Sequence, residues 1–160
     1  MLLPIPKFPA ISRPTASKPS PPPTEPKRFG LPNTAFNKAQ GGFVDSFTTA
    51  GVLISHFAVL GPLHSPWGVA LAPADFGPMS NALLITNNIS RGRVNAFDPK
   101  SGAFLGPLRD VSGQPIEIDG LWGIQFGKDA SANGTHNQLF FTAGPNNYAN
   151  GIFGVITLAQ

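Results

Sequence analysis

The chain has 160 residues, of which 41% are hydrophobic and only 12% are charged; this composition predicts a folded protein with an apolar core. It contains no cysteine, which excludes disulfides, thiolate metal sites and cysteine nucleophiles. The formal net charge of +3 divides into +5 for residues 1–40 and −2 for residues 41–160, so the second part is predicted to have no nucleic-acid-binding patch.

Residues 1–40 are predicted to form a basic, Pro-rich, disordered leader, because they contain ten of the eighteen prolines and little apolar periodicity. Proline interrupts the apolar start Met1–Ile5, so no secretory signal is predicted. No apolar run in the chain approaches the roughly 18 residues of a membrane span. A targeting peptide and a Pro-rich ligand for SH3 or WW domains at Pro19–Pro26 remain as alternatives to a simple spacer.

The composition predicts an all-β fold, since the eighteen glycines, eighteen prolines and thirteen phenylalanines of the whole chain favour short strands joined by tight turns. The strand pattern begins at Gly42. The run Ala82–Asn87 is apolar almost throughout, which predicts a strand buried on both faces. In chain order the predicted strands are Phe43–Phe47, Val52–Phe57, Trp67–Ala72, Ala82–Asn87, Gly92–Asp98, Ala103–Leu108, Trp122–Phe126, Gln138–Ala143 and Gly151–Ile156.

These strands form an internal repeat. The Trp-Gly strand that starts at Trp67 returns at Trp122, and the next two strands return in the same order, with Leu139 in the place of Leu83 and Gly151 in the place of Gly92. Four short antiparallel strands at a period of roughly 50 residues are typical of a β-propeller blade. Residues 41–160 are therefore predicted to supply the outer hairpin of one blade, one complete blade and three strands of the next.

The repeated Trp-Gly pair is predicted to be structural. Trp67 and Trp122 are expected to fill the space between neighbouring sheets, each contributing on the order of 3 kcal/mol by burial. Gly68 is expected to let a neighbouring backbone come close, and Gly123, its counterpart in the second copy, is also expected to be structural. Because a closed propeller needs at least about four blades, the chain is predicted to be the carboxyl-terminal portion of a longer propeller. Missing blades or another copy of the chain are then the expected partners.

Several segments resemble the carboxyl-terminal third of an uncharacterised bacterial propeller family with NHL-type repeats. They are Ser65–Pro73, Asn95–Pro99, Asp119–Gly123 and Phe141–Pro145. The resemblance implies a fold related to six-bladed, lactonase-like propellers and an extracellular or periplasmic location. It implies no particular reaction.

Polar residues cluster in the links that a propeller brings to one face. The candidate ligand-binding residues are His64, Asn87, Asn88, Arg91, Asp119, Asn146 and Asn147, with Ser90, Tyr148 and Asn150 beside them. Their amide and carboxylate oxygens suit Ca²⁺, which accepts about six to eight such ligands, or the hydroxyls of a sugar or lactone. The alternative is that Asn and Asp occupy tight turns for backbone reasons alone.

The leading functional hypothesis is a non-catalytic propeller segment with a binding or scaffolding role, with no assigned catalytic residue. The alternative is a calcium-dependent, lactonase-like hydrolase with Asn87, Asp119 and Asn146 as metal ligands. Calcium is the one cofactor that the sequence leaves open. A third hypothesis is an adaptor that captures its partner through the Pro-rich leader.

Overall fold

The computed structural model describes residues 28–30, 41–59 and 61–159. Strands make up most of the regular structure, with a 3₁₀ turn at Gly77–Met79 and a short helical turn, α1, at Pro145–Tyr148. The strands are β1 (Arg28–Gly30), β2 (Phe43–Phe47), β3 (Leu53–Val59), β4 (Pro66–Leu71), β5 (Leu83–Asn87), β6 (Val94–Phe97), β7 (Phe104–Pro107), β8 (Leu121–Phe126), β9 (Leu139–Ala143) and β10 (Ile152–Ile156).

The strands form three antiparallel sheets, which confirms the predicted all-β class. The first sheet has the order β1-β2-β3, the central sheet β4-β5-β6-β7 and the last sheet β10-β9-β8. Every strand predicted after residue 40 is present, with bounds within two residues of those expected. In the described part of the chain, no helix is long and apolar enough to cross a membrane.

Strand β1 lies within the segment that was predicted to be an unpacked leader. It pairs with β2 in the register Arg28 to Phe47 and Gly30 to Asp45. This pairing uses main-chain hydrogen bonds, so the sequence need not show apolar alternation to make it. The rest of the predicted leader, including Pro19–Pro26, lies outside the described residues.

The central sheet is covered on both faces. All five residues of β5 are buried, as predicted for the apolar run. Leu83 and Ile85 pack with Val44 of the first sheet, whereas Leu84 packs with Leu121 of the last sheet. Side chains alternate across a strand, so one strand supplies apolar groups to both layers of the core.

The prediction that the two tryptophans fill the space between sheets is wrong. Trp67 is 58% exposed and Trp122 is 37% exposed. Where β4 meets β8, Gly68 takes the facing position instead: a Cβ on Gly68 would lie 2.7 Å from the Trp122 carbonyl oxygen and 2.9 Å from the Ile124 nitrogen. There is no room for an indole at that separation, so the alternation along β4 directs Trp67 away from the contact.

The expected role of Gly68 is therefore confirmed, and a threonine completes the contact. The buried Thr86 Oγ1 accepts a hydrogen bond from the Gly68 N–H at 2.7 Å and donates one to the Trp122 carbonyl at 2.6 Å. One hydroxyl thus connects two strands of the central sheet to the backbone of the last sheet. At the equivalent Gly123, a Cβ would meet only Thr142 Oγ1, at 3.5 Å.

Candidate functional site

A cleft of about 380 Å³ opens among the links that adjoin β4, β5, β8 and β9. We call it the link cleft. Each of these links carries polar residues because it ends a strand and reverses the chain. The link cleft brings together four of the seven predicted ligand-binding residues and two of their neighbours. They are His64, Asn88, Asp119 and Asn147, with Ser90 and Tyr148.

One wall of the link cleft has an unusual backbone. Asn146, Asn147 and Tyr148 have φ angles of 56°, 54° and 66°, which places three consecutive non-glycine residues in the left-handed region. Such a conformation costs about 1 kcal/mol or more per residue, least for asparagine. It persists only where surrounding contacts hold it, so α1 is a strained, preformed turn.

The contacts that hold this turn come from three directions. Asp119 Oδ2 accepts a hydrogen bond from the Asn146 N–H at 3.0 Å, and the Tyr148 hydroxyl donates to Asn88 Oδ1 at 2.8 Å. The Tyr148 ring also stacks on Trp122, with centroids 5.5 Å apart and planes 20° apart. Trp122 therefore supports the wall of the link cleft.

Two glycines allow the links to approach each other. Gly120 has a φ of 63°, and a Cβ on it would lie 2.2 Å from the Gly144 carbonyl oxygen. The Gly120 N–H donates to the Ile89 carbonyl at 3.0 Å, and the Gly144 N–H donates to the Gly120 carbonyl at 2.9 Å. This part of the link cleft is therefore lined by backbone in fixed positions.

Several polar groups of the link cleft are available to a ligand. The His64 ring, the Ser90 hydroxyl and the Asn147 side-chain amide have no hydrogen-bond partner among the described residues. Together they provide both donors and acceptors. Among the described residues of the lining, Asp119 is the one carboxylate, so the arrangement suits recognition of a polar molecule without a large charge.

Three predicted site residues lie elsewhere or face away, and two of them are asparagines. Asn87 is only 4% exposed; its Oδ1 accepts from the His64 N–H at 3.0 Å and its Nδ2 donates to the Pro62 carbonyl at 2.8 Å. Asn146 is outside the lining of the link cleft, and its Nδ2 donates to Asn150 Oδ1 at 2.8 Å. Both asparagines thus have the structural role that was the alternative in the sequence interpretation.

The third residue, Arg91, lines a second cleft of about 500 Å³, which shares His64 and Ile89 with the link cleft and also includes Asn87. Its Nε donates to Glu117 Oε2 at 2.5 Å. Arg93 also donates to Glu117, and these hydrogen bonds, first from Arg93 and then from Arg91, lower the pKa of the Glu117 carboxyl. The Arg91 charge is thus directed to an ion pair.

The predicted calcium ligands do not converge. Asn87 is buried away from the link cleft, and Asn146 meets Asp119 through its backbone nitrogen. Within the described ranges, no group of three or more His, Cys, Asp or Glu residues is placed to hold a metal ion.

Sequence reasoning missed the roles of Gly120, Gly144 and Trp122 at the link cleft. A signal was present in the run Gly144-Pro145-Asn146-Asn147, whose residue types all favour turns. The stacking of Tyr148 on Trp122 had no sequence signal, because it depends on how the link after β9 folds back onto β8.

Comparison with known proteins gives relatives but no family. No protein-family model matches the chain, and no solved structure matches it. It is similar to an uncharacterised protein of Acanthamoeba polyphaga mimivirus, with 34% identity over 130 residues that cover 81% of this chain and 31% of the relative. A second uncharacterised protein of this virus is 29% identical over 126 residues, covering 79% of the chain and 32% of that relative. The chain thus spans about a third of the length of these relatives.

The resemblance to a bacterial NHL-type propeller family is wrong, since the matching relatives are viral proteins and no family model matches. Its motifs have local structural explanations instead. Gly68 permits close strand approach, and the asparagines of the links form turns. The extracellular or periplasmic location that the resemblance implied loses its basis.

Proposed function

We propose that the chain is a non-catalytic binding module built from propeller-type stacked sheets. Its link cleft would receive a small, uncharged ligand rich in hydroxyl groups, such as a sugar or a lactone. The observation that carries this proposal is the strained turn at Asn146–Tyr148, which several contacts hold in place around unpaired polar groups. Strained backbone of this kind is concentrated at functional sites.

The sheet arrangement supports the propeller part of the proposal. The central sheet runs in the order β4-β5-β6-β7, so consecutive strands are neighbours, as in a propeller blade. It packs between two other antiparallel sheets, and the strands that start the two copies of the repeat, β4 and β8, approach each other closely at Gly68. In propellers, ligand sites lie where links gather at one end of such sheets, which is also where the link cleft lies here.

The chemistry of the lining supports the ligand class. Asn147 offers an amide group, Ser90 a hydroxyl and His64 a ring nitrogen, and each of these groups matches a sugar hydroxyl. The Asn88 amide is already engaged, because its Oδ1 accepts from the Tyr148 hydroxyl and its Nδ2 donates to the Leu121 carbonyl at 3.1 Å. The Tyr148 ring adds an aromatic edge beside them. A volume of about 380 Å³ falls in the usual range for small-molecule sites, roughly 300–1,000 Å³.

Calorimetric titration with a panel of mono- and disaccharides and lactones tests the proposal, with Trp122 fluorescence as a second readout. The diagnostic variant is Asn147→Gly, which removes the unpaired amide and relieves a left-handed backbone. Asn81→Gly is the matched control, because Asn81 is also left-handed, with a φ of 61°, and lies outside the link cleft. We expect both variants to gain up to about 1 kcal/mol of stability, and only Asn147→Gly to lose binding.

If no member of the panel binds, the proposed role of the link cleft is contradicted. The same holds if both variants lose binding equally. The same titration includes calcium. Calcium binding accompanied by lactone hydrolysis would favour the hydrolase alternative instead.

A further inference from the structure

The last sheet has an apolar face that no other sheet in the described part of the chain covers. Ile124, Phe141 and the other residues on the same face of this sheet pack on the central sheet. The opposite face therefore carries Phe140, Phe153 and Val155. Phe153 is 72% exposed and Val155 is 45% exposed, and the Phe140 and Phe153 rings stack with centroids 5.6 Å apart. We call this the outer face of the last sheet.

The repeat shows what this face is suited to contact. When the two copies of the repeat are aligned strand by strand, Phe140 corresponds to Leu84, Phe153 to Val94 and Val155 to Ala96. Those three central-sheet residues are at most 1% exposed, because the last sheet covers them. The outer face of the last sheet is therefore equivalent, position by position, to a face that packs against another sheet inside the same chain.

The first sheet exposes the complementary half of that contact. Val44 packs against the central sheet and is buried, whereas Phe43 and Leu53 on the other face are 39% and 47% exposed. Phe47, which is paired with Leu53, corresponds to Phe97 when Gly42–Phe47 is aligned with the similar segment that starts at Gly92. In the central sheet, Phe97 lies on the face that receives the preceding sheet. We call this side, with Phe43, Phe47 and Leu53, the outer face of the first sheet.

We propose that the outer face of the last sheet docks on the outer face of the first sheet in a second copy of this chain. This inference rests on the stacking of propeller-type sheets in the proposed function, and adds the partner. One chain carries both halves of a sheet contact that it already uses twice.

Such a contact is heterologous, so each copy keeps one free face and further copies add until the ring closes. A symmetric contact would join the same face of both copies, whereas the proposed contact joins two different faces. Mixing two variants, each altered on a different face, distinguishes the two kinds of contact.

The experiment measures molar mass by sedimentation velocity over a range of concentrations. Wild type is expected to show mass that increases with concentration, and Phe153→Asp and Leu53→Asp are each expected to be monomeric. A buried, unpaired aspartate should weaken association by more than about 30-fold. Mixed one to one, the two variants retain one intact pair of faces and should form a dimer that grows no further.

Val111→Asp is the control, because Val111 is 89% exposed and lies outside both faces; this variant should associate like wild type. Val155→Lys provides a second variant of the last sheet, and circular dichroism checks that each variant is folded. A wild type that stays monomeric at every concentration would overturn the inference, as would association of Leu53→Asp alone. Sugar binding by monomeric Phe153→Asp is measured separately, so failure of docking and failure of the link cleft are distinguishable.

Discussion

The contact between the central and last sheets can be tested by adding one methyl group at each of two equivalent glycines. At Gly68, the new Cβ would lie 2.7 Å from the Trp122 carbonyl oxygen and 2.9 Å from the Ile124 nitrogen. Both are backbone atoms of β8, so no side-chain rotation relieves the overlap. At Gly123, the nearest atom is Thr142 Oγ1 at 3.5 Å, which is an ordinary contact distance.

The two substitutions should therefore have opposite effects. In Gly68→Ala, overpacking costs about 1–3 kcal/mol, and the strained hydrogen bonds of Thr86 cost about 1 kcal/mol more. Alanine returns about 0.5 kcal/mol through the lower entropy of the unfolded chain. We expect Gly68→Ala to lose about 1.5–3.5 kcal/mol of unfolding free energy, and Gly123→Ala to be neutral or to gain about 0.5 kcal/mol.

Urea unfolding followed by tryptophan fluorescence measures both values, at a protein concentration at which sedimentation shows a single species. An unchanged denaturant slope would show that the variants unfold as wild type does. Equal losses of unfolding free energy in the two variants would refute the reasoning, because the effect of the methyl group would then not depend on the neighbouring sheet.

Two further predictions concern the connections between sheets. Thr86→Val removes the buried hydroxyl that connects them and should cost about 2–4 kcal/mol in urea unfolding, whereas Thr142→Val should cost under about 1 kcal/mol; similar losses would contradict the assigned bridge. His136 contacts Asp129 at 2.8 Å and Asp75 at 2.9 Å, and these carboxylates, Asp129 first, raise the pKa of its ring. Its stabilising contribution is complete below the unfolded value of 6.5 and is lost as pH rises through the folded pKa. The urea midpoint of wild type should therefore fall as the pH is raised above 6.5, and that of His136→Gln should not.

The strands were predictable because their signals are local. Alternation of apolar residues and turn residues at fixed offsets identified each strand after residue 40, and the repeat placed them in corresponding positions. The burial of β5 on both faces followed from its composition alone. Strand β1 was not predictable, since its pairing with β2 depends on backbone groups that every residue carries.

The direction of side chains was harder to predict than the strands. Trp67 and Gly68 are adjacent, and only the approach of β8 decides which of them faces the neighbouring sheet. Hydrophobicity alone favours the tryptophan at that position, but the close backbone contact admits only glycine. The prediction for Trp67 was wrong because it depended on the distance between the two sheets, which no local sequence signal gives.

The same limit explains which site residues were found. Asn87 and Asn88 look alike in the sequence, yet Asn87 ends β5 with its side chain inward, whereas Asn88 bonds the Tyr148 hydroxyl at the link cleft. Link positions could thus be predicted from the repeat. Which of them face inward and which line the link cleft depends on the alternation of side chains at the end of the strand.

Burial of apolar side chains in the core can offset the cost of the strained turn at the link cleft. Left-handed residues at Asn146–Tyr148 cost a few kcal/mol together, roughly 1 kcal/mol or more each. Each buried aliphatic side chain of β5 contributes about 1.5–3 kcal/mol, so a sheet covered on both faces can offset that cost. Stabilisation by Asn147→Gly with loss of binding would show that the chain keeps a less stable turn where the amide is needed. Stabilisation without loss of binding would show that the strain has no connection with the link cleft.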